Sequence, residues 1–131
     1  MRVLVCGGRE YLNRKKVWEI LDQLNDDSTF IYGCPGAIHL LITGGASGAD
    51  TLAEEWAVEN GVAIKTFKAD WVKNKRSAGP IRNAQMIVEG KPDLVVVFPG
   101  GRGTEDMMNK AISANIDTFV VGRTSDDFLA E

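Results

Sequence analysis

Short, nearly unbroken apolar runs rich in β-branched residues recur along the chain at residues 3–6, 38–43, 62–67, 94–98 and 118–121. Without polar alternation, such runs predict strands buried on both faces, as in a parallel sheet covered by helices. Between them the spacing becomes helical. Val17, Ile20, Leu21 and Leu24 fall at i, i+3, i+4 and i+7, and Ala49, Leu52, Ala53, Trp56 and Ala57 form a second stripe that Asn60-Gly61 terminates. The pattern predicts a third helix over 81–88, closed by Gly90 and Pro92. A fourth is expected over 104–114, with Met107, Met108, Ala111 and Ile112 on its inner face. Residues 25–37, which include Gly33, Pro35 and Gly36, read as a surface loop, and 125–131 as either a helical turn or a frayed tail. Strand and helix alternate from end to end. One α/β domain over 1–131 is expected, a three-layer, Rossmann-like, doubly wound parallel sheet of about five strands.

Composition narrows the class without changing that architecture. The 131 residues carry a net charge of −3, which argues against a general nucleic-acid binder with a broad basic surface. No apolar run approaches the ~20 residues of a membrane span, and the first residues are too short for a signal peptide. Cys6 sits inside the first apolar run and is expected in the core, with Cys34 a second reduced thiol. His39 is the single histidine, so no zinc cluster is expected. The cytoplasm is the expected compartment, and no cofactor or metal is evident.

Three glycine-rich loops follow strands, where open α/β sheets place their ligands. In Pro99-Gly100-Gly101-Arg102-Gly103-Thr104, three glycines in four positions exceed the needs of a turn. They let the backbone approach a ligand, and the helix behind offers unpaired N–H groups to a phosphate. Thr104 either caps that helix or meets a phosphate oxygen. The second loop, Thr43-Gly44-Gly45-Ala46-Ser47-Gly48-Ala49-Asp50, lacks the Gly-Lys-Ser/Thr of a Walker loop. Its Ser47 or Asp50 either caps a helix or binds a ribose hydroxyl. In Gly7-Gly8-Arg9, the arginine pairs with either a phosphate or Glu10.

A basic segment holds Lys65, Lys68, Lys73, Lys75, Arg76 and Arg82 against Asp70, and can focus an anion into the cleft. Arg82 is expected in the first turn of the third helix, where the dipole disfavours a cation unless an anion binds nearby. Asn83 follows it. Trp71 reads as an aromatic plug under the loop rather than a stacking surface, and Trp56 as core. Glu105 and Asp106 open the last helix; they suit its dipole, or they assist chemistry at a ribose.

Taken together, Gly7-Gly8-Arg9, Gly44 to Asp50, Ala69-Asp70-Trp71, Ala78-Gly79-Pro80-Ile81-Arg82-Asn83 and the Pro99 to Thr104 loop resemble the YspA-type branch of the SLOG superfamily. The resemblance implies a Rossmann-like fold that binds nucleotides or their derivatives, with relatives that act as ligand sensors in phage and bacterial systems. It is more distantly similar to the lonely guy phosphoribohydrolases, which cleave the N-glycosidic bond of nucleoside monophosphates. Their Arg-Lys-x-x-Met stretch is matched at Arg82 and Met86, and their Pro-Gly-Gly-x-Gly-Thr-x-x-Glu loop at Pro99 to Thr104. Asn83 stands in place of the lysine and Met107 in place of the glutamate. Within the YspA-type pattern, Glu10 replaces the usual aspartate, and Asn74-Lys75-Arg76 interrupts a segment that normally holds a glycine.

The function expected from this set is a binding module for a nucleotide-derived ligand. Its site comprises Gly7, Gly8, Arg9, Gly44, Gly45, Ser47, Asp50, Arg82, Asn83, Gly100, Gly101, Gly103 and Thr104. The alternative is an N-glycosidic hydrolase using Arg82, Glu105 and Asp106. A third reading, action on single-stranded DNA through the basic segment, is less favoured, and self-association stays open.

Overall fold

The computed structural model describes residues 1–26 and 37–122. Five strands alternate with helices: β1 (Arg2–Cys6), α1 (Arg14–Leu24), β2 (Leu40–Thr43), α2 (Ala49–Glu59), β3 (Ala63–Thr66), α3 (Trp71–Asn74), α4 (Ala78–Val88), β4 (Leu94–Val97), α5 (Arg102–Ser113) and β5 (Asp117–Val120). A 3₁₀ turn, Lys75–Ser77, joins α3 to α4. The sheet is parallel throughout, in the order β3-β2-β1-β4-β5. This is the expected doubly wound Rossmann-like fold.

Side chains alternate across the sheet and so divide the core in two. Val3, Val5, Leu41, Leu94, Val96 and Phe98 face the inner stripes of α1 and α2, where Val17, Leu21, Ala53 and Trp56 are buried. Leu4, Cys6, Ile42, Val95 and Val97 face the opposite way, onto Met86 of α4 and Met107 and Ala111 of α5. Full burial of a side chain the size of Phe98 contributes roughly 1.5–3 kcal/mol. Trp56 also donates its indole N–H to Asp22 Oδ1 at 2.8 Å, so its polar atom is partnered in the core. Cys6 belongs to this core, as expected.

Burial on both faces holds for β1, β2 and β4, but not for the edges. β3 and β5 are largely half-buried or exposed, because each has one neighbouring strand and sparser helix cover. Asn60 ends α2, and Gly61 follows at φ +67°, as the sequence predicts.

Two helices begin earlier than expected. α4 starts at Ala78, three residues before the predicted start, because Pro80 lies in the first turn, where no N–H is required. Arg82 therefore sits in the second turn, and the dipole argument for a nearby anion does not apply to it. α5 starts at Arg102 with Gly101 at the N-cap, so Thr104 is a third helical residue and not a cap. Ile112 is 55% exposed rather than on the inner face. The 3.6 period turns it past the edge of the buried stripe. The expected tail at 125–131, Cys34 and most of the 25–37 loop lie outside the described residues. Among the described residues, no helix is long and apolar enough to cross a membrane.

Candidate functional site

The chain winds outward from β1 through β2 to β3, then returns past β1 to β4 and on to β5. Winding therefore reverses between β1 and β4, and a crevice opens at the carboxyl ends of those two strands. A cavity of about 990 Å³ occupies it. Its wall includes Gly7, Gly8 and Arg9 after β1, Asp50 at the start of α2, Arg82 and Asn83 on α4, and Gly100, Gly101, Gly103, Thr104 and Asp106 around the start of α5. Gly44, Gly45 and Ser47 instead line a smaller adjoining cavity of about 320 Å³, which shares Arg9 and Arg82. Glu105 is exposed and lines neither, so the structure does not bring it to the proposed chemistry.

Backbone contacts draw the loops together. The Gly8 N–H donates to the Pro99 carbonyl at 2.8 Å, and the Gly8 carbonyl accepts from the Ala49 N–H at 3.2 Å. Gly48 adopts φ +77°, and a Cβ there would collide with the Gly8 carbonyl, so only glycine allows this approach. The Gly44 loop is filled by the chain itself. Asp50, 5% exposed, accepts with one carboxylate oxygen from the Gly44 N–H at 3.1 Å and the Ala46 N–H at 3.2 Å. Thr43 Oγ1 takes the Gly45 N–H at 3.3 Å. Ser47 donates to the Arg9 carbonyl at 3.4 Å and does not cap α2, whose N-cap is Gly48.

The Pro99 to Thr104 loop is arranged differently. A Cβ on Gly100 would meet Gly8 N at 2.6 Å and also Thr104 Oγ1, so that glycine is fixed by packing against the chain. At Gly101 and Gly103 a Cβ would have nothing within 4 Å among the described residues outside its own neighbours and helix backbone, and neither residue has positive φ. The first-turn amides of α5 (Arg102, Gly103, Thr104) have no intrahelical acceptor and lie at the helix's positive end.

On the opposite wall, Arg82 is held in place. Its Nη1 donates to the Gly44 carbonyl at 2.8 Å and its Nε to Asn83 Oδ1 at 3.0 Å. Asn83 is 3% exposed, and its amide nitrogen donates to the Gly103 carbonyl at 3.1 Å and to Asp106 Oδ2 at 2.9 Å. Lys110 closes the series with contacts of 2.6 and 2.7 Å to Asp106. A lysine at position 83 has no acceptor for Arg82 Nε, so this substitution rebuilds the wall. Met107 is fully buried against the sheet, which puts the position of the hydrolase glutamate in the core and leaves Asp106 as the carboxylate on the cavity side.

Electrostatics follow from these positions. Burial pushes the Asp50 carboxyl up to about 6, against the Ala46 and Gly44 amides and Arg82. Burial also lowers the pKa of Arg82, an effect Asp50 opposes. At Asp106, burial favours the neutral form, but hydrogen bonds from Lys110 and Asn83 outweigh it and hold the pKa below the ordinary carboxylate value. The Cys6 thiol, at the cavity floor, is driven far up by burial and is no nucleophile at neutral pH.

A model of the YspA, cpYpsA-related SLOG family matches residues 1–73. Over 129 residues the chain is 35% identical to the Gene 61 protein of Mycobacterium phage D29, covering 92% of this chain and 96% of that relative. The chain belongs to the YspA, cpYpsA-related SLOG family. Its fold also resembles that of DNA processing protein A (DprA) from Streptococcus pneumoniae, with a TM-score of 0.67 at 18% identity. That likeness covers 91% of this SLOG chain and 49% of the other, so the chain spans about half the length of that solved structure.

Tyr11 also lines the main cavity of this SLOG chain, although no motif in the sequence marks it. Trp71, which the sequence reads as a plug, is 49% exposed and lines both cavities, with the Arg9 guanidinium 5.4 Å from its ring centroid. The available signal is its position just after the Asp70 cap, which places it at a helix start on the surface. Of the basic segment, Arg76 reaches the main cavity as Arg82 does, Lys68 lines the smaller one, and Lys68 and Lys73 line a third hollow of about 330 Å³.

Proposed function

We propose that this protein binds a nucleotide or nucleotide-derived ligand, with the ligand's phosphate against the start of α5 and facing Arg82. One observation carries this reading. A Cβ at Gly101 or Gly103 would meet nothing within 4 Å among the described residues outside its own neighbours and helix backbone, and neither needs a left-handed backbone, so packing does not require glycine at either position. Glycine at a cavity wall, beside three amides with no acceptor in their own helix, suits a partner that must come close to the backbone. Family membership agrees with a nucleotide-related ligand. Titration calorimetry of the full chain with nucleoside monophosphates tests the proposal, and wild-type protein that takes up none of them overturns it.

The ionised Asp106 on the same wall supports a second reading, hydrolysis of an N-glycosidic bond. It is suited to stabilise oxocarbenium-like charge but not to donate a proton at neutral pH. Release of free base from nucleoside monophosphates, abolished by Asp106→Asn, decides for hydrolysis; intact nucleotide decides for binding alone.

A further inference from the structure

Resting on the binding reading above, we infer that Trp71 is the platform on which the ligand's base stacks, beneath the guanidinium of Arg9. Trp71 is the first residue of α3, and its backbone is anchored because Asp70 Oδ1 accepts from the Lys73 N–H at 3.0 Å. One edge of the indole rests on the start of α4, where a Cβ on Gly79 would lie 3.6 Å from the ring. The indole is therefore placed by the fold yet remains 49% exposed. An aromatic of that size left half in water forgoes burial that the core offers to Trp56.

Its location gives the exposure a purpose. The ring stands where the two cavities meet, and Arg9, itself exposed, is the cation over it. A cation–π pair in water is weak and easily opened. A nucleobase entering there meets the indole on one side and a planar guanidinium on the other, and both surfaces stack on any base. The ring and the α5 amides share one cavity, as a base and a phosphate joined through a ribose require. Stacking area then sets the preference: purine nucleotides bind more tightly than pyrimidine ones, with little distinction within each class.

The test compares adenosine 5′-monophosphate with ribose 5-phosphate by titration calorimetry on the full chain. Wild-type protein is expected to hold the nucleotide about tenfold more tightly than the sugar phosphate. Trp71→Ala should erase that advantage and leave ribose 5-phosphate affinity unchanged, while Trp71→Phe restores most of it. If Trp71→Ala keeps the ratio, or weakens both ligands equally, the platform is wrong and the phosphate site stands. If wild-type protein binds neither ligand, the binding reading fails and the platform with it.

Discussion

Two glycine-rich loops leave β2 and β4, the strands on either side of β1, and enter helices, and they are put to opposite uses. In the Gly44 loop, the positions that side chains would occupy are taken by the chain: Arg82 at Gly44, Thr66 and Lys68 at Gly45, the Gly8–Arg9 backbone at Gly48. Its amides already have an anion, the carboxylate of Asp50. In the Pro99 loop, only Gly100 is filled in this way, whereas Gly101 and Gly103 border open cavity. Glycine content reports that something approaches the backbone closely. It does not report whether that something is the protein or a ligand.

The sharpest way to break this comparison is to substitute glycines in both loops and ask which property changes. Gly48→Ala forces a side chain into a left-handed conformation and onto the Gly8 carbonyl, at an expected cost of about 3 kcal/mol. Urea unfolding measures it, and a loss within error would remove the claim that the chain fills this loop.

The internal anion has its own signature. Asp50 binds its proton more tightly in the fold, at about 6, than in the unfolded chain, at 3.8. Its contribution is therefore fully present below about pH 4 and is lost as pH rises through about 6, by roughly 2–3 kcal/mol. Wild-type stability relative to Asp50→Asn should fall across that window, and parallel pH profiles would show that Asp50 is not buried as described.

In the open loop the expected change is in affinity. Gly101→Val and Arg82→Ala should each weaken nucleotide binding about tenfold, roughly 1.4 kcal/mol. Unchanged calorimetric affinity in both would remove the site. Gly103→Ala gives the smallest and most discriminating effect. It lies within α5 with free space around it, so alanine should stabilise the fold by up to about 1 kcal/mol while weakening binding. Destabilisation there would mean that the chain, not a ligand, requires this glycine.

Much of the architecture is legible from periodicity, because buried strands and helix stripes impose local rules on neighbouring residues. Helix starts are less legible. Pro80 and Gly101-Arg102-Gly103 read as breakers, yet the first helical turn tolerates both proline and glycine. For the site, the glycine loops and Arg82 are visible as motifs. The exposure of Trp71 and the outward turn of Glu105 are not, because a residue's angle around its helix decides which cavity it faces. On α5, positions 105, 106 and 107 face solvent, the cavity and the core respectively.

The linear order of residues determined the strand–helix alternation, the parallel sheet and the placing of glycine loops at strand ends, since each depends on local pattern and chain connectivity. Which loop is filled from within and which is left open depended not only on local contacts such as Asp50 with Gly44 but on distant ones, such as Arg82 with Gly44 and Gly8 with Pro99. Those distant contacts exist only after the sheet has assembled around β1 and β4, so only the folded molecule shows them.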